Sequence, residues 1–436
     1  MSNKRVLVVG TTADYIDIIN RRFPKRAIFI TDVNERTKAT EPPLSSEDEL
    51  LYNLSQPEQV AAALGRHLSR WRMELSGIAC FDCESMPTAA FIAHSFGLSY
   101  PSTKAVAECR DKYVCKQVWR QAGLPCPDVE LVHNASNAIS FLHKINGPSV
   151  LKPLTGSGSE LILLCSTEDE CAVAFNTLQS RLAHHSDLRM YAPYVLDGRK
   201  IDPRVVFVVE EFIQGDEYSC DFTVDGDHVD IIRIARKILD PKQTFGTTLA
   251  YLLPSPLPEG LGENIFLNQL RTAAKSLGLD RAICMLDFVV RDNQAFMIEL
   301  APRPGGDCLP SLLLNSCGTD ILGCTLDFAD GHPFISNTSL QYRPLVGVRL
   351  FATYKGEIER IDVSALLKDR RVVEHYLKRG PGHRVILPPE DYESRLLGHV
   401  IFEPTEPESI ENECIEIASK LKLKMKRQLC ATVSPS

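Results

Sequence analysis

The sequence predicts an α/β protein: an open parallel-sheet domain at the N-terminus, then an α+β part built on antiparallel hairpins. Three observations carry this. Arg5–Val9 is a near-continuous apolar run closed by Gly10, the pattern of a strand buried on both faces. Strand-like and helical stretches alternate from there to Phe81, as an open parallel sheet requires. Past Val205 the apolar runs come in pairs around polar turns, Asp225-Gly226 and Arg291–Gln294, which is a hairpin signal.

Taken in order, Ala13–Phe23 reads as a helix and Ala27–Thr31 as a second strand with Asp32 at its end. An acidic, proline-containing loop (Glu41–Glu49), a helix (Pro57–Ser69) and a strand (Gly77–Phe81) follow. The first turn, Gly10-Thr11-Thr12-Ala13, lacks the GxGxxG dinucleotide fingerprint. Arg110–Ala122 is helical, with Val114, Cys115, Val118, Trp119 and Ala122 at helical spacing, and Gly123, Pro125 and Pro127 stop it. Lys112 sits near its start. Ser149–Lys152 is a short strand, and Thr155-Gly156-Ser157-Gly158-Ser159 links it to a second one, Glu160–Leu164. Such a loop can wrap phosphates with backbone N–H groups, although a plain hairpin turn has the same composition. Val205–Val209 is an apolar strand running into Glu210-Glu211-Phe212-Ile213-Gln214-Gly215-Asp216-Glu217. Two strands flank Asp225-Gly226, the second leading to Lys237, and Leu261–Leu277 is a long helix. The tail from Pro344 holds strands at Val346–Thr353 and His399–Phe402 and a helix at Glu406–Lys422.

The chemistry concentrates in Met285–Asp307. Ile283–Val290 and Ala295–Leu300 read as the strands of a hairpin. With Arg291 opposite Ala295, Asp287 would face Glu299 across the ladder, both on one side of the sheet. Like charges so placed repel, and a shared cation relieves them. An oxygen-only pair suits Mg²⁺, which takes one or two carboxylates and leaves its other positions to water and phosphates. Pro302 and Pro304 then hold Arg303 in a stiff turn aimed at the same place, and guanidinium grips phosphate or carboxylate with two parallel hydrogen bonds. The alternative is an ordinary hairpin with an ion-paired arginine.

Composition narrows the classes. The 436 residues suffice for two or three domains, and 44% hydrophobic with 24% charged residues is ordinary globular composition. A net charge of −8 argues against a nucleic-acid surface. No apolar run is long enough to span a bilayer, and the N-terminal apolar run reads as a strand and not a signal peptide. Fourteen scattered cysteines then read as reduced thiols, which points to the cytoplasm. Cys80 and Cys83 have zinc-like spacing without a second pair, so buried small hydrophobes are the better reading.

Lys112, Lys152 with its Gly/Ser loop, Glu210–Glu217 and Asp287/Glu299/Arg303 occur in an order that resembles the ATP-grasp superfamily of carboxylate–amine ligases. The likeness covers roughly Pro101–Asp307. It implies an N-terminal Rossmann-like domain (1–108), a small ATP-grasp subdomain with a lid loop (109–208) and a large catalytic subdomain with a C-terminal extension (209–436). It further implies that Lys112 and Lys152 hold nucleotide phosphates and that Thr155–Ser159 closes over them. Glu210, Glu211, Phe212 and Ile213 would line the adenine, Glu217 would take the ribose hydroxyls, and Lys237 would face phosphate or substrate. Asp287 and Glu299 match the Mg²⁺ carboxylates, with Mn²⁺ as an alternative ion. Many members carry an Asn ligand where this chain has Ala301, and the purine carboxylase's His-Asn-Ser-Gly is replaced by Gly305-Gly306-Asp307.

The activity so implied is ATP-dependent activation of a small carboxylate as an acyl phosphate, attacked by an amine, with ADP and phosphate released. Its partners are small-molecule acids and amines, with neither nucleic acid nor membrane, and a homodimer is compatible with it. A bicarbonate-using carboxylase or carbamoyl-phosphate-synthase-like fragment is the alternative within enzymes. An ATP-binding protein without turnover is the alternative outside them, and Ala301 is its only support.

Overall fold

A computed structural model describes residues 3–258, 260–334 and 342–426. Four strands, β1 (Lys4–Val9), β2 (Ala27–Asp32), β3 (Glu49–Tyr52) and β4 (Glu74–Ala79), form a parallel sheet in the order β3-β2-β1-β4. Val6–Val9 and Ile28–Ile30 are almost fully buried, because α1 (Ala13–Arg22), α3 (Pro57–Trp71) and α4 (Met86–Phe96) supply apolar faces to the sheet. The acidic stretch Glu41–Glu49 is a loop as expected, but α2 (Val33–Lys38) before it and β3 at its end are not among the expected elements, and Arg36 ties them together through Glu49 at 2.6 Å. Their polar composition hides them from a hydrophobicity pattern.

Next come α5 (Thr103–Arg110) and α6 (Lys112–Gln121), β5 (Val129–Val132), α7 (Ala135–Ile145), β6 (Ser149–Pro153), β7 (Leu163–Cys165) and α8 (Glu168–Ala183). A two-stranded hairpin, β8 (Tyr194–Leu196) and β9 (Arg199–Ile201), precedes β10 (Phe207–Glu211). The smaller antiparallel sheet runs β5-β10-β6-β7, so the expected division at 208/209 falls inside one of its strands. The helix expected over Arg110–Ala122 is α6, which begins at Lys112 because the Asp111 carboxylate accepts from the Tyr113 and Val114 amides as its cap; α5 ends just before it.

The large sheet begins with β11 (Asp216–Asp225), β12 (His228–Leu239), β13 (Thr248–Leu253), β14 (Arg281–Arg291) and β15 (Gln294–Ala301), with α9 (Glu263–Ser276) packed against it. The tail supplies β16 (Leu345–Phe351), β17 (Gly356–Asp362), β18 (Val372–Leu377), β19 (Arg384–Val385), β20 (Leu396–Phe402) and β21 (Lys422–Met425). Eight strands pair in the order β15-β14-β11-β12-β13-β16-β20-β18, and β19-β17-β21 form a small satellite sheet. The C-terminal segment is thereby built into the large sheet rather than appended to it. Among the described residues no helix is long and apolar enough to cross a membrane.

Candidate active site

The hairpin β14–β15 sets the site, and its register differs from the expected one. Arg291 pairs with Gln294 and not with Ala295, because Asp292 and Asn293 both take positive φ (51° and 60°) and close a two-residue turn. That alone would set Ile298 opposite Asp287. A bulge between Asp287 and Phe288 restores the pairing of Asp287 with Glu299. Ala295 and Met297 face the core with Phe288, and past the bulge Leu300 does so while Glu299 turns to the other face.

That other face is crowded with charge. Lys237 of β12 donates to Asp287 Oδ2 at 2.6 Å, and Glu217 of β11 lies 3.9 Å from the same ammonium. The opposite oxygen, Asp287 Oδ1, is buried without a hydrogen-bond partner. Lys112 of α6 stands 3.6 Å from Glu299 Oε1. Burial works to raise the Glu299 carboxyl, but Lys112, Lys152, Lys116 and Lys237 outweigh it and hold the group below its usual range. Two carboxylates, one with an unmet oxygen, fit a hard divalent cation that leaves its other positions to water and phosphate. Among the described residues no group of three or more acidic, histidine or cysteine side chains is placed to hold a metal.

Across the smaller sheet the charges are instead mutually paired. Glu210, on the same face of β10 as Lys152 on β6, receives Lys152 at 2.7 Å and Lys116 of α6 at 2.8 Å. Lys116 also donates at 2.7 Å to the carbonyl of Ile298, the residue at the bulge. Burial pushes Lys152 down to about 8, with Glu210 opposing and Lys116 and Lys112 adding to the fall. Burial works to raise Glu210 as well, but the two lysines outweigh it and keep it ionised. Glu210 thus lies between two lysines, and its Oε1, although 2.8 Å from Lys116, is buried without a hydrogen-bond partner and keeps acceptor capacity. Glu211, next along, reaches Arg291 at 3.6 Å. Phe212 stacks edge-on against Phe245 at 5.7 Å between centroids, and Ile213 is buried.

The loop Thr155–Ser159 lies over this junction. Lys112 Nζ donates to the Gly156 carbonyl at 3.0 Å, and Thr155 Oγ1 to that of Met190 at 3.0 Å. Gly156 and Gly158 have positive φ (134° and 69°), and so do Ser159 (59°) and Leu161 (55°), where side chains are strained. Two clamps hold that strain: Leu161 is buried, and Glu160 is gripped by Tyr191 at 2.9 Å and His185 at 3.0 Å. The strand expected from Glu160 begins only at Leu163 for this reason.

The turn after β15 is fixed from below. Gly305 N–H donates to Asp221 Oδ1 at 3.0 Å, Asp221 is paired with Arg233 at 2.8 Å, and a Cβ on Gly305 would sit 2.4 Å from Arg233 Nη2. Arg303 leaves this turn toward the first domain and not onto the metal carboxylates. Its Nε donates to Cys83 Sγ at 3.1 Å and its Nη1 to the Pro304 carbonyl at 2.7 Å. Burial pushes the Cys83 thiol up although Arg303 opposes it, so Cys83 is a neutral wall and not a nucleophile. Beside it, burial and then Asp82 raise Glu84 to about 8.

The structure therefore gathers Lys112, Lys152, the lid, Lys237, Glu217, Asp287 and Glu299 about one junction, and sets Arg303 at its rim. The pattern missed Lys116, Arg110 and Glu84. A signal existed for Lys116: it lies one helical turn from Lys112 and between the buried Cys115 and Trp119.

Residues 145–311 match the model of the ATP-grasp domain. An uncharacterised protein of Sinorhizobium fredii is 26% identical over 292 residues, 66% of this chain and 56% of its own. The D-alanine–D-alanine ligase of Delftia acidovorans is 29% identical over 220 residues, 48% of this chain and 60% of the relative. This chain thus spans less than two thirds of these curated relatives. In three dimensions the L-amino acid ligase of Bacillus licheniformis superposes with a TM-score of 0.76 at 16% identity, over 98% of this chain and 100% of that one. Residues 145–311 are thus similar to the ATP-grasp domain, and the chain as a whole shares the fold of that L-amino acid ligase.

Proposed function

We propose that this protein is an ATP- and Mg²⁺-dependent ligase that joins a small carboxylic acid to an amine, releasing ADP and phosphate. The observation that carries the reading is Lys112, which joins the lid at Gly156 to the proposed metal carboxylate Glu299. Lid, phosphate-binding lysine and metal ligand are thus one connected unit, as transfer of a γ-phosphoryl group needs. The name of the D-alanine–D-alanine ligase relative supports the same class of bond.

Lys112 and Lys152 would hold the phosphates under the lid, with Phe212, Ile213 and Glu217 toward the nucleoside. The ion held by Asp287 and Glu299, Mg²⁺ or Mn²⁺, would neutralise charge on the transferring phosphoryl. An oxygen of the acid attacks the γ-phosphorus, and the bond to ADP breaks with its electron pair leaving on ADP. The amine then adds to the acyl carbon, phosphate departs with the C–O bonding pair, and the amine's proton passes to a base. Lys237 and Arg303 remain the candidates for meeting the developing charge, Arg303 from the first-domain side.

The test is ADP release across pairs of small acids and amines, with mass spectrometry of the products. ATP binding without ADP release from any pair would leave a nucleotide-binding protein. Release with bicarbonate and no organic acid would make it a carboxylase.

A further inference from the structure

An open parallel sheet offers ligands the crevice beyond the carboxyl ends of its strands, where the strand order reverses. In the first domain that point lies between β1 and β4, because the chain runs outward through β2 and β3 and returns to the other side of β1. The crevice is filled by another part of the chain. Arg189, from the segment between α8 and β8, donates from Nη1 to Ser85 Oγ at 2.7 Å, and its Nε lies 3.7 Å from Asp32 Oδ2. Ser85 Oγ donates in turn to Asp82 Oδ2 at 3.0 Å, an oxygen that also accepts from the Thr11 amide at 2.6 Å. A Cβ on Gly10 would sit 2.1 Å from Ser85 Oγ, so only glycine lets this socket form. Burial works against the Arg189 charge, and Asp82, Glu84, Asp32 and Asp187 outweigh it.

The same segment grips the lid. The carbonyl of Met190, next to Arg189, accepts from Thr155 Oγ1 at 3.0 Å, and Tyr191 and His185 hold Glu160 at 2.9 and 3.0 Å. Asp187 Oδ1 stiffens the piece between them, accepting from the Arg189 and Met190 amides at 2.9 and 2.8 Å. Both ends of the lid are thus fastened to one short segment, His185–Tyr191, whose arginine reaches the other way into the first domain.

We propose that Arg189 is a positioning residue that latches the lid to the first domain, so that the lid stands closed before nucleotide arrives. Without the latch, nucleotide must order the lid itself and binds more weakly for that reason. By linkage, nucleotide then quiets the lid more in a protein without the latch than in one with it. The effect on nucleotide rests on the ligase reading, whereas the latch itself is measured with no nucleotide present.

The experiment follows amide hydrogen exchange in the full chain, comparing the parent protein with Arg189→Gln, Arg189→Lys and Ser85→Ala. Without nucleotide, amides 156–161 should exchange about tenfold faster in Arg189→Gln, the scale of a lost charged hydrogen bond, while those of β6 and β10 keep the parent rates. Lysine keeps the charge without the planar fork and should restore part of the protection. Ser85→Ala should loosen the lid from another domain, and adding it to Arg189→Gln should change little more, since both remove one contact. With Mg²⁺ and a non-hydrolysable ATP analogue the lid rates should converge, and calorimetry should show about tenfold weaker binding in Arg189→Gln. Should Arg189→Gln fail to fold, Ser85→Ala carries the same test. A loosened lid with no analogue binding to any form keeps the latch and removes the nucleotide reading. Unchanged lid exchange, faster exchange spread evenly over β6 and β10, or additive effects of the two substitutions overturn the latch and leave the ligase reading standing.

Discussion

The two lysine-bearing ends of the site solve one electrostatic problem in opposite ways. On the smaller sheet, Lys116 and Lys152 share Glu210, and each carboxylate oxygen lies within 2.8 Å of its own ammonium, although Oε1 makes no hydrogen bond. On the large sheet and at its rim, charges are left open: Asp287 Oδ1 has no partner, and Arg303 forms no salt bridge with a carboxylate among the described residues. The closed end is also the drier one: the Glu210 side chain is 3% exposed, against 22% for Asp287 and 33% for Glu299. The contrast separates charge that shapes the protein from charge kept for a ligand.

Breaking the closed end should cost stability most. Lys116→Met leaves Glu210 with one lysine and the Ile298 carbonyl with none, and should destabilise by about 3–5 kcal/mol in chemical denaturation. A loss below about 1 kcal/mol would mean that water replaces the lysine.

The open end should fail in chemistry more than in stability. Glu299→Gln should reduce ADP formation by about a hundred- to a thousandfold, the scale seen when one electrostatic stabiliser is removed. The unfolding midpoint should fall slightly, because the surrounding lysines favour the ionised carboxylate in the folded chain. Unchanged turnover would remove Glu299 from the site.

Glu217 lies between the two behaviours, 3.9 Å from Lys237 and only part-buried. Glu217→Ala should weaken ATP binding by about 1–3 kcal/mol if it holds the ribose. An unchanged dissociation constant would restrict it to steering Lys237.

The smallest effect concerns pH. Lys152 loses its charge as pH rises through about 8, so ATP affinity should fall across that window by about tenfold, the scale of a lost charged contact. Lys152→Met should flatten the profile. Stability should move the other way: from about 8 to the unperturbed 10.5 the folded chain binds fewer protons than the unfolded one, so stability rises with pH. A flat affinity profile in the parent protein would show Lys152 to be a permanent charge.

Much of this was legible because it depends on short-range pattern. The apolar run Arg5–Val9, the helix 261–277 and the hairpin 281–301 were readable from period and turn chemistry, within a few residues at their ends. The ordered lysines and carboxylates are brought together at one junction. What was hidden depends on tertiary partners. Nothing local distinguishes Glu210, paired with lysines 58 residues or more away along the chain, from a free one. Nor could the Pro-Arg-Pro turn reveal that Arg303 would leave toward Cys83, because Asp221 and Arg233 orient that turn from another strand. Asp287 opposite Glu299 was reached through a register that the chain does not use; the turn is one residue shorter and the bulge supplies the difference.

That bulge makes the hairpin a parity device. The two-residue turn and the extra residue at Ile298 each shift the strand by one step, and only together do they leave Glu299 on the site face. Losing or gaining one residue on either side of the pair would invert β15 between them and exchange Met297 or Leu300 for a carboxylate in the core. Length changes in this hairpin are therefore tolerable only in compensating pairs. A homologue with a three-residue turn and no bulge would present the same two carboxylates, but without the freed Ile298 carbonyl it would have to anchor its second lysine elsewhere.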